Sequence, residues 1–421
     1  MKTKLLLLSI LLTGMFSCQQ PVQWTVENPL AVERPDEALI FTRDQLASKL
    51  ELPDGKLPVF KIDGQLQPSQ VDDLDGDSVW DEAVVVVNLA ASEKKALTVE
   101  FVAPEAYPQF EKRTNVRLGI VQPDGNFVEV DNYQAPSIKE GFRIIAQGES
   151  VSWENDKFGF RNYFDCRNVK DLFGKLKPEL IIDKIHTPEM GDYHKLADWG
   201  MDVLHCGSSL GSGGIALMKN DSLFRLGSTE GYEYQKITEG PVRSVLELRY
   251  SGWVVDGDTL SAVERISIFP GKYWFQSDVT FLGSPEGSEV VTGIVTSLLK
   301  REPFQFTSSG YTCIGTHDVQ SLNNDELGMA VLVAENETGK IGRTTDINFF
   351  KLGHQTVVEK NFSNIISETY YISQKTADGI PARHYFAAVW GLEKEQWKTE
   401  EGFRKYLTEE MEKLGNPISV Q

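Results

Sequence analysis

Acid, base and aromatic side chains are concentrated in the 24 residues from Gly191 to Gly214, GDYHKLADWGMDVLHCGSSLGSGG. Tyr193 and His194 can move protons, and Trp199 is a side chain that can stack on a sugar ring. The glycines permit backbone conformations that other residues adopt only at a cost. A Gly-rich connection with structural His and Asp residues is the alternative. We interpret this stretch as a loop that forms a functional site.

An alternating pattern just upstream predicts a strand that carries Arg161 and Tyr163 on one face. A planar guanidinium can clamp a carboxylate, and Lys175 is a second candidate for neutralising one. His186 would complete the group if its loop meets the loop of His194. Neighbouring Arg and Tyr side chains on a strand are also typical of an ordinary cross-strand pair, so both interpretations stay open.

Two other chemistries would rely on carboxylates of this chain. Asp198 and Asp202 are the nearest pair for glycoside hydrolysis, and their spacing of four would place them on one face of a helix. The intervening Gly200 makes buried structural Asp residues an equal alternative. Mutarotation would instead use a His and a Glu, for which His194 and Glu264 are candidates.

A short acidic segment, DLDGDSVWD, places carboxylates at relative positions 1, 3, 5 and 9. This spacing matches the oxygen-rich loops that wrap Ca²⁺, with Asp73, Asp75, Asp77 and Asp81 as ligands. An EF-hand is excluded because position 6 is not Gly and position 12 is not Glu. An acidic turn that accepts hydrogen bonds from its own amides is the alternative. The expected cofactors are therefore a structural Ca²⁺ ion at most, and no organic group.

The first 17 residues have the features of an export signal, with two lysines before an apolar run. Cys18 follows the cleavage region and is the predicted site of lipid attachment, with residues 18–27 as a polar tether. Membrane contact would then be through this lipid alone. The expected location is the outer membrane, on its periplasmic face, because no acidic surface-export signal follows Cys18. The formal net charge of −19 argues against a nucleic-acid partner.

Short strands between Pro, Gly and Asp turns predict a β-sandwich region over residues 28–115. Longer alternating strands predict large antiparallel sheets, packed face to face, over residues 140–421. One amphipathic helix is expected from about Glu393 to Leu414. Cys166 and Cys206 could pair, although free thiols fit the odd number of remaining cysteines better.

Three segments are similar to one family: QVDDLDGDSVWDE, WENDKFGFRNYFDCRNVKDLFGK and DYHKLADWGMDVLHCGSSLGSGGIAL. On these segments the chain resembles a domain-of-unknown-function family of Bacteroidota lipoproteins often found in polysaccharide-utilisation loci. The resemblance spans nearly all of the chain after the signal. It implies an all-β, galactose-mutarotase-like supersandwich and a carbohydrate setting, but no established reaction.

Together the residues and the resemblance favour a lyase that acts by β-elimination on a poly- or oligosaccharide containing uronic acid. The catalytic candidates are Arg161, Tyr163, Lys175, Tyr193 and His194. The candidates for contacts with the glycan are His186, Asp198, Trp199 and Asp202. A hydrolase with paired Asp residues and a non-catalytic glycan-binding lipoprotein are the alternatives.

Overall fold

The computed structural model describes residues 23–135, 145–345 and 365–421. The signal segment and Cys18 lie outside these ranges. The first strands of the chain are β1 (Gln23–Glu27), β2 (Arg34–Thr42), β3 (Leu57–Ile62), β4 (Gln65–Leu66), β5 (Ser69–Asp72), β6 (Glu82–Leu89), β7 (Lys94–Val102), β8 (Thr114–Arg117), β9 (Gly119–Val121), β10 (Phe127–Glu129) and β11 (Asn132–Ala135).

Eighteen further strands and two α-helices complete the described chain. The strands are β12 (Ser150–Asn155), β13 (Phe158–Tyr163), β14 (Lys170–Lys175), β15 (Gly200–Asp202), β16 (Ser212–Lys219), β17 (Ser222–Arg225), β18 (Gly231–Glu239), β19 (Ser244–Val255), β20 (Asp258–Ile268), β21 (Trp274–Leu282), β22 (Glu289–Val295), β23 (Phe304–Ser308), β24 (Tyr311–Val319), β25 (Glu326–Ala334), β26 (Thr338–Arg343), β27 (Thr369–Lys375), β28 (Ala382–Trp390) and β29 (Ser419–Val420). The helices are α1 (Arg43–Ala47) and α2 (Glu400–Gly415).

Two small antiparallel sheets form an N-terminal sandwich, in the orders β29-β1-β7-β3-β4 and β2-β6-β5. Their inner faces share an apolar core of Trp24, Phe41, Phe60, Val85 and Leu97 with smaller neighbours. Residues 23–27, which the sequence analysis assigned to a tether, form strand β1 and pair with β7 and with the C-terminal β29. The two ends of the described chain therefore pair with each other in one sheet.

Three further antiparallel sheets build most of the rest of the molecule around one apolar core, and β9 and β10 form a separate two-stranded sheet. The largest has nine strands, in the order β11-β18-β19-β20-β21-β28-β25-β24-β23. Two five-stranded sheets, β15-β14-β13-β12-β8 and β17-β16-β22-β27-β26, share its core. The predicted all-β antiparallel supersandwich with N-terminal sandwich strands and one long C-terminal helix is confirmed. Its strands begin with β8 and β11, before residue 140 where the sequence analysis placed the second domain.

The C-terminal helix is shorter than its predicted span. A 3₁₀ turn at Glu395–Lys398 precedes α2, and the Thr399 side chain caps the new N-terminus by accepting from the Gly402 N–H at 3.1 Å. Phe403, Leu407 and Met411 then face the core as the periodicity predicts. Among the described residues, none of the helices has an apolar stretch long enough to cross a bilayer.

Candidate functional site

The connection over residues 176–199 folds back across the sheet that contains β13 and β14. An apolar cluster of Phe173, Ile181, Ile182, Ile185 and Tyr193 holds it there, with Met190 and Trp199 at the edge. Backbone hydrogen bonds fix its end, because the Asp202 N–H donates to the Tyr193 carbonyl at 2.9 Å and the Leu176 N–H to the Trp199 carbonyl at 2.8 Å. The loop that the sequence singled out is thus anchored next to the strand of Arg161.

Arg161 is the centre of a buried charge network beneath this loop, with only 1% of its surface exposed. Its Nη2 atom donates to Oδ2 of Asp171 at 2.6 Å, to Oδ2 of Asp202 at 2.5 Å and to the Tyr163 hydroxyl at 2.7 Å. The Tyr163 hydroxyl donates in turn to Asp171 Oδ2 at 2.8 Å. One guanidinium therefore holds two buried carboxylates and a phenol in a fixed arrangement.

His194 is the solvent-facing neighbour of that network, and 56% of its side chain is exposed. Its Nε2 lies 3.7 Å from Asp202 Oδ2, and its Nδ1 lies 3.2 Å from Asp192 Oδ1. The rings of Tyr193 and His194 are 4.2 Å apart, and the His186 ring lies 6.1 Å from that of Tyr193. The loops of His186 and His194 therefore meet, which is the condition that the sequence analysis set.

The surroundings of this network favour the protonated forms of two side chains. Burial raises the pKa of Asp202 to about 8, the nearby Asp171 adds to the shift, and Arg161 opposes it. Burial also raises the pKa of the Tyr163 hydroxyl well above its ordinary value, although Arg161 acts in the other direction. Two carboxylates share one guanidinium, so a proton held between them relieves their repulsion. The site thus has two groups that can hold a proton at neutral pH.

The raised pKa of Asp202 predicts that the free energy of unfolding falls as pH rises from 7 to 8. Between its ordinary value of 3.8 and about 8, the folded state binds this proton and the unfolded state has released it. Stability from this group is therefore complete at low pH and is lost as pH approaches 8. Urea unfolding at pH 7 and pH 8 measures the slope, which should flatten in Asp202→Asn. An equal slope in both proteins would contradict the assignment.

Two predicted substrate-neutralising cations are not presented to solvent. Arg161 is enclosed by its partners, so it positions the network and does not clamp a substrate carboxylate. Lys175 is also buried, where its Nζ donates to Glu154 Oε2 at 2.8 Å and to the Asn155 carbonyl at 2.7 Å. The sequence analysis was wrong about Lys175 because a buried Glu, distant in sequence, neutralises it.

The rival carboxylate pairs do not form either. Asp198 is 98% exposed in a tight turn where Ala197 and Gly200 exchange backbone hydrogen bonds at 3.1 Å, whereas Asp202 lies in the buried network. The helix that would align the two Asp residues is absent from this described segment. Glu264 is buried and ion-paired with Lys170 at 2.9 Å, so it is not a partner of His194. Trp199 packs at the edge of the apolar cluster that holds the loop.

Three side chains of this site were not among the sequence candidates. Asp171 stands directly opposite Arg161 in the β13–β14 register, which a strand pattern alone does not reveal. Arg167 pairs with Asp165 at 2.8 Å, and its guanidinium lies 4.5 Å from the centre of the Tyr163 ring. Asp192 contacts His194 through a local two-residue spacing that could have been recognised as an Asx-type turn.

The cysteines of the described chain and two further histidines are buried. Cys166 and Cys206 are buried, and no disulfide joins them. His384 is fully buried, and burial lowers its pKa to about 3. The Nε2 atom of buried His317 lies 2.8 Å from the Trp397 carbonyl. His354 lies outside the described residues.

The acidic loop brings three of its four predicted ligands together. Carboxylate oxygens of Asp73, Asp75 and Asp81 lie within 4.8 Å of one another. Asp77 is not in this group, and its Oδ1 accepts from the Val79 N–H at 2.7 Å. The other carboxylates also accept from loop amides, so the geometry is consistent with both a cation loop and a self-bonded turn.

If this loop binds Ca²⁺, the melting temperature should rise by several degrees when EDTA is replaced by excess calcium, because an ion that binds only the folded state stabilises it. Asp75→Asn should abolish the shift. Asp77→Asn is the matched control and should retain it, since Asp77 stands outside the group. An unchanged melting temperature in the unmodified protein would leave the self-bonded turn as the explanation. Differential scanning fluorimetry is the measurement.

Fold and site together define an antiparallel β-supersandwich protein whose buried Arg–Asp–Asp network lies beneath a loop that exposes one histidine. The chain belongs to the family described as "Domain of unknown function (DUF4861)", whose profile matches residues 26–420. The sequence-based recognition of a domain-of-unknown-function family is thereby confirmed. A relative, Uncharacterized protein P7 of Formosa agariphila, is 26% identical over 335 residues, which cover 75% of this chain and 76% of P7.

Two solved structures from Enterococcus faecalis are similar to most of the chain. One is an alpha-mannosidase from strain V583. The match covers 95% of this chain and 45% of the mannosidase chain, with a TM-score of 0.47 and 7% identity. The other is a protein in the Glycosyl Hydrolase Family 38. The match covers 95% of this chain and 47% of that protein's chain, again with a TM-score of 0.47 and 7% identity. The chain spans less than half the length of either protein.

Proposed function

We propose that this protein is a carbohydrate-active lyase that cleaves poly- or oligosaccharides containing uronic acid by β-elimination. The observation that carries the proposal is the exposed His194, whose Nε2 lies 3.7 Å from a buried carboxylate held by Arg161. The segments that resemble polysaccharide-utilisation lipoproteins support the substrate class.

β-Elimination needs a base that removes a proton and an acid that protonates the leaving group. The base removes the proton at C5 of the uronic acid, the electron pair forms the C4–C5 double bond, and the bond from C4 to the glycosidic oxygen breaks. That oxygen takes a proton from the acid, so no water is consumed. We assign the base to His194 and the acid to Tyr163, whose raised pKa keeps its hydroxyl protonated.

The buried network would position both proton-transfer groups. Arg161 Nη2 contacts the Tyr163 hydroxyl and Asp202, and Asp202 lies beside His194. The Asp192 carboxylate, 3.2 Å from His194 Nδ1, would stabilise the His194 imidazolium that forms when the C5 proton is removed, in the manner of a carboxylate that supports a catalytic histidine. After each turnover, exchange with solvent would return His194 and Tyr163 to their starting protonation states.

The C5 carboxylate of the substrate also requires a cation, because neutralising it makes the C5 proton more acidic. Arg161 and Lys175 are buried, so we assign this role to Arg167. Its side chain is 14% exposed, pairs with Asp165 at 2.8 Å and lies over the ring of Tyr163. It would therefore share its guanidinium between Asp165 and the substrate carboxylate. A hydrolase is less well supported, because the predicted pair is split between an exposed Asp198 and a buried Asp202.

Replacing His194 with Ala should lower the rate of double-bond formation at least about 10²-fold, the lower end of what general acid–base catalysis contributes. The assay follows ultraviolet absorbance of the unsaturated product with a panel of uronic-acid oligosaccharides. Lys184→Ala, an exposed change in the same loop, is the matched control and should retain the rate.

Other outcomes of this assay would identify the alternatives. Release of reducing ends without a rise in absorbance would make the protein a hydrolase. Calorimetric binding of the oligosaccharide without any product would make it a glycan-binding lipoprotein. A full rate in His194→Ala would place the chemistry elsewhere in the chain.

We also propose that Cys18 carries lipid and anchors the protein to the outer membrane, on its periplasmic face. The export-signal features of the first 17 residues support this placement. Membrane fractionation tests it, because Cys18→Ser should move the protein from the membrane to the soluble fraction. Surface protease treatment of intact cells would separate the two membrane faces.

A further inference from the structure

A cavity of about 320 Å³ lies between the N-terminal sandwich, the nine-stranded sheet and the C-terminal helix. Residues from β2, β21, α2 and β29 line it, and none of them belongs to the candidate site described above. Its size is at the small end of ligand pockets in proteins. Leu39, Phe41, Phe269 and Ile418 are among its apolar lining residues, and charged side chains line it as well.

Arg34 is the side chain that distinguishes this cavity. It lines the cavity with only 1% of its surface exposed, and its Nη2 donates to the carbonyls of Lys413 at 2.8 Å and Asn416 at 2.5 Å. Its Nη1 is 3.4 Å from Glu37 Oε2, at the long end of a hydrogen bond. Its Nε has no acceptor among the residues that the structure describes. A buried guanidinium with unused donor capacity is costly unless something else supplies the acceptor.

The charges that line the cavity do not cancel. Three cationic side chains, Arg34, Lys272 and Lys413, stand against the carboxylates of Glu37 and Glu410. Lys272 is close to both carboxylates, and Lys413 contacts Glu410 at 2.8 Å. Arg34 lies 3.4 Å from Glu37. Three cations therefore share two carboxylates, and one positive charge is left over. A small anion would complete the balance.

Trp274 adds an aromatic surface to the same cavity. Its Nε1 donates to Glu410 Oε2 at 2.7 Å, which fixes the ring against the wall, and Lys272 Nζ lies 6.0 Å from the ring centre. A ligand with one carboxylate and one apolar ring face would meet both the surplus cation and the fixed aromatic ring. The cavity is too small for a long oligosaccharide.

We propose that this cavity is a binding site for a single sugar acid, with its carboxylate on Arg34 and its ring near Trp274. The choice of a sugar acid over other small carboxylates rests on the proposed function, whereas the anion preference rests on the cavity alone. The site would bind a monosaccharide unit of the glycan without reacting with it. Its carboxylates are already paired with its lysines, so they are not placed to act as a general acid and base.

Isothermal titration calorimetry with glucuronate, and with glucose as the uncharged control, tests the proposal on the whole mature chain. We expect one glucuronate per chain, no comparable heat from glucose, and an affinity at least about tenfold lower in Arg34→Lys, which keeps the charge but loses the planar fork. Lys413→Gln is the second variant, for use if Arg34→Lys does not fold. It should also weaken binding, because it removes a positive charge from the cavity wall. Arg249→Lys, an exposed change elsewhere, is the matched control.

His194→Ala separates this site from the candidate catalytic site. Glucuronate binding that survives His194→Ala but falls in Arg34→Lys supports the cavity, even if no elimination is ever detected. Binding that is lost in His194→Ala and unchanged in Arg34→Lys would overturn it and place the sugar acid at the loop. No heat with glucuronate, or equal heat with glucose, would also overturn it.

Discussion

Lys170→Met is expected to lower the free energy of unfolding by about 3–5 kcal/mol, the usual cost of removing one partner from a buried ion pair. Lys170 Nζ lies 2.9 Å from Glu264 Oε2, and neither side chain has measurable exposure. The variant would leave the Glu264 carboxylate between the sheets with only the Ser277 hydroxyl, which donates to it at 2.7 Å. Urea denaturation followed by circular dichroism measures the loss.

Two further variants make this result specific. Lys170→Met combined with Glu264→Met should recover most of the lost stability, because an apolar pair carries no desolvation cost. Lys340→Met is the matched control, since its partner Asp221 is 2.8 Å away on the surface and exposed pairs contribute at most about 1 kcal/mol. A loss in Lys170→Met no larger than in Lys340→Met would contradict the buried-charge argument.

Gly200→Ala is expected to cost about 3 kcal/mol or more, because strain and overpacking each cost about 1–3 kcal/mol. Gly200 has φ of +135°, and a Cβ atom there would lie 1.8 Å from the Gly174 carbonyl oxygen. That oxygen belongs to the backbone of β14, which is held on its other edge by β13, so it cannot move aside. The same urea denaturation measures the effect.

Gly191→Ala separates the cost of conformational strain from the cost of overpacking. Gly191 also has a positive φ, of +73°, but a Cβ atom there would meet nothing within 4 Å. Its replacement should therefore cost only the conformational strain, about 1–2 kcal/mol. Equal losses in the two variants would show that the close approach of β15 to β14 is not rigid. Because β15 carries Asp202, we also expect Gly200→Ala to disturb the buried network.

The sequence by itself determined which segments form strands and which segment forms the long helix. Alternation of apolar side chains along β19, β20 and β21 is a property of the strand repeat, and it predicts antiparallel sheets without any tertiary information. The helix stripe of Phe403, Leu407 and Met411 follows from the helical repeat in the same way. The dense segment around His194 indicated where the candidate site lies, because its residue types are unusual for a connection.

Only the tertiary structure decided which of those side chains face solvent and which are neutralised. Arg161, Lys170 and Lys175 are all cations in the same stretch of sequence, yet each is buried against a different carboxylate. The partners Glu154 and Glu264 lie on other strands, and strand register, which depends on packing of whole faces, brings them into contact. A charge's role depends on its distance to the opposite charge, and sequence spacing does not specify that distance across a sheet.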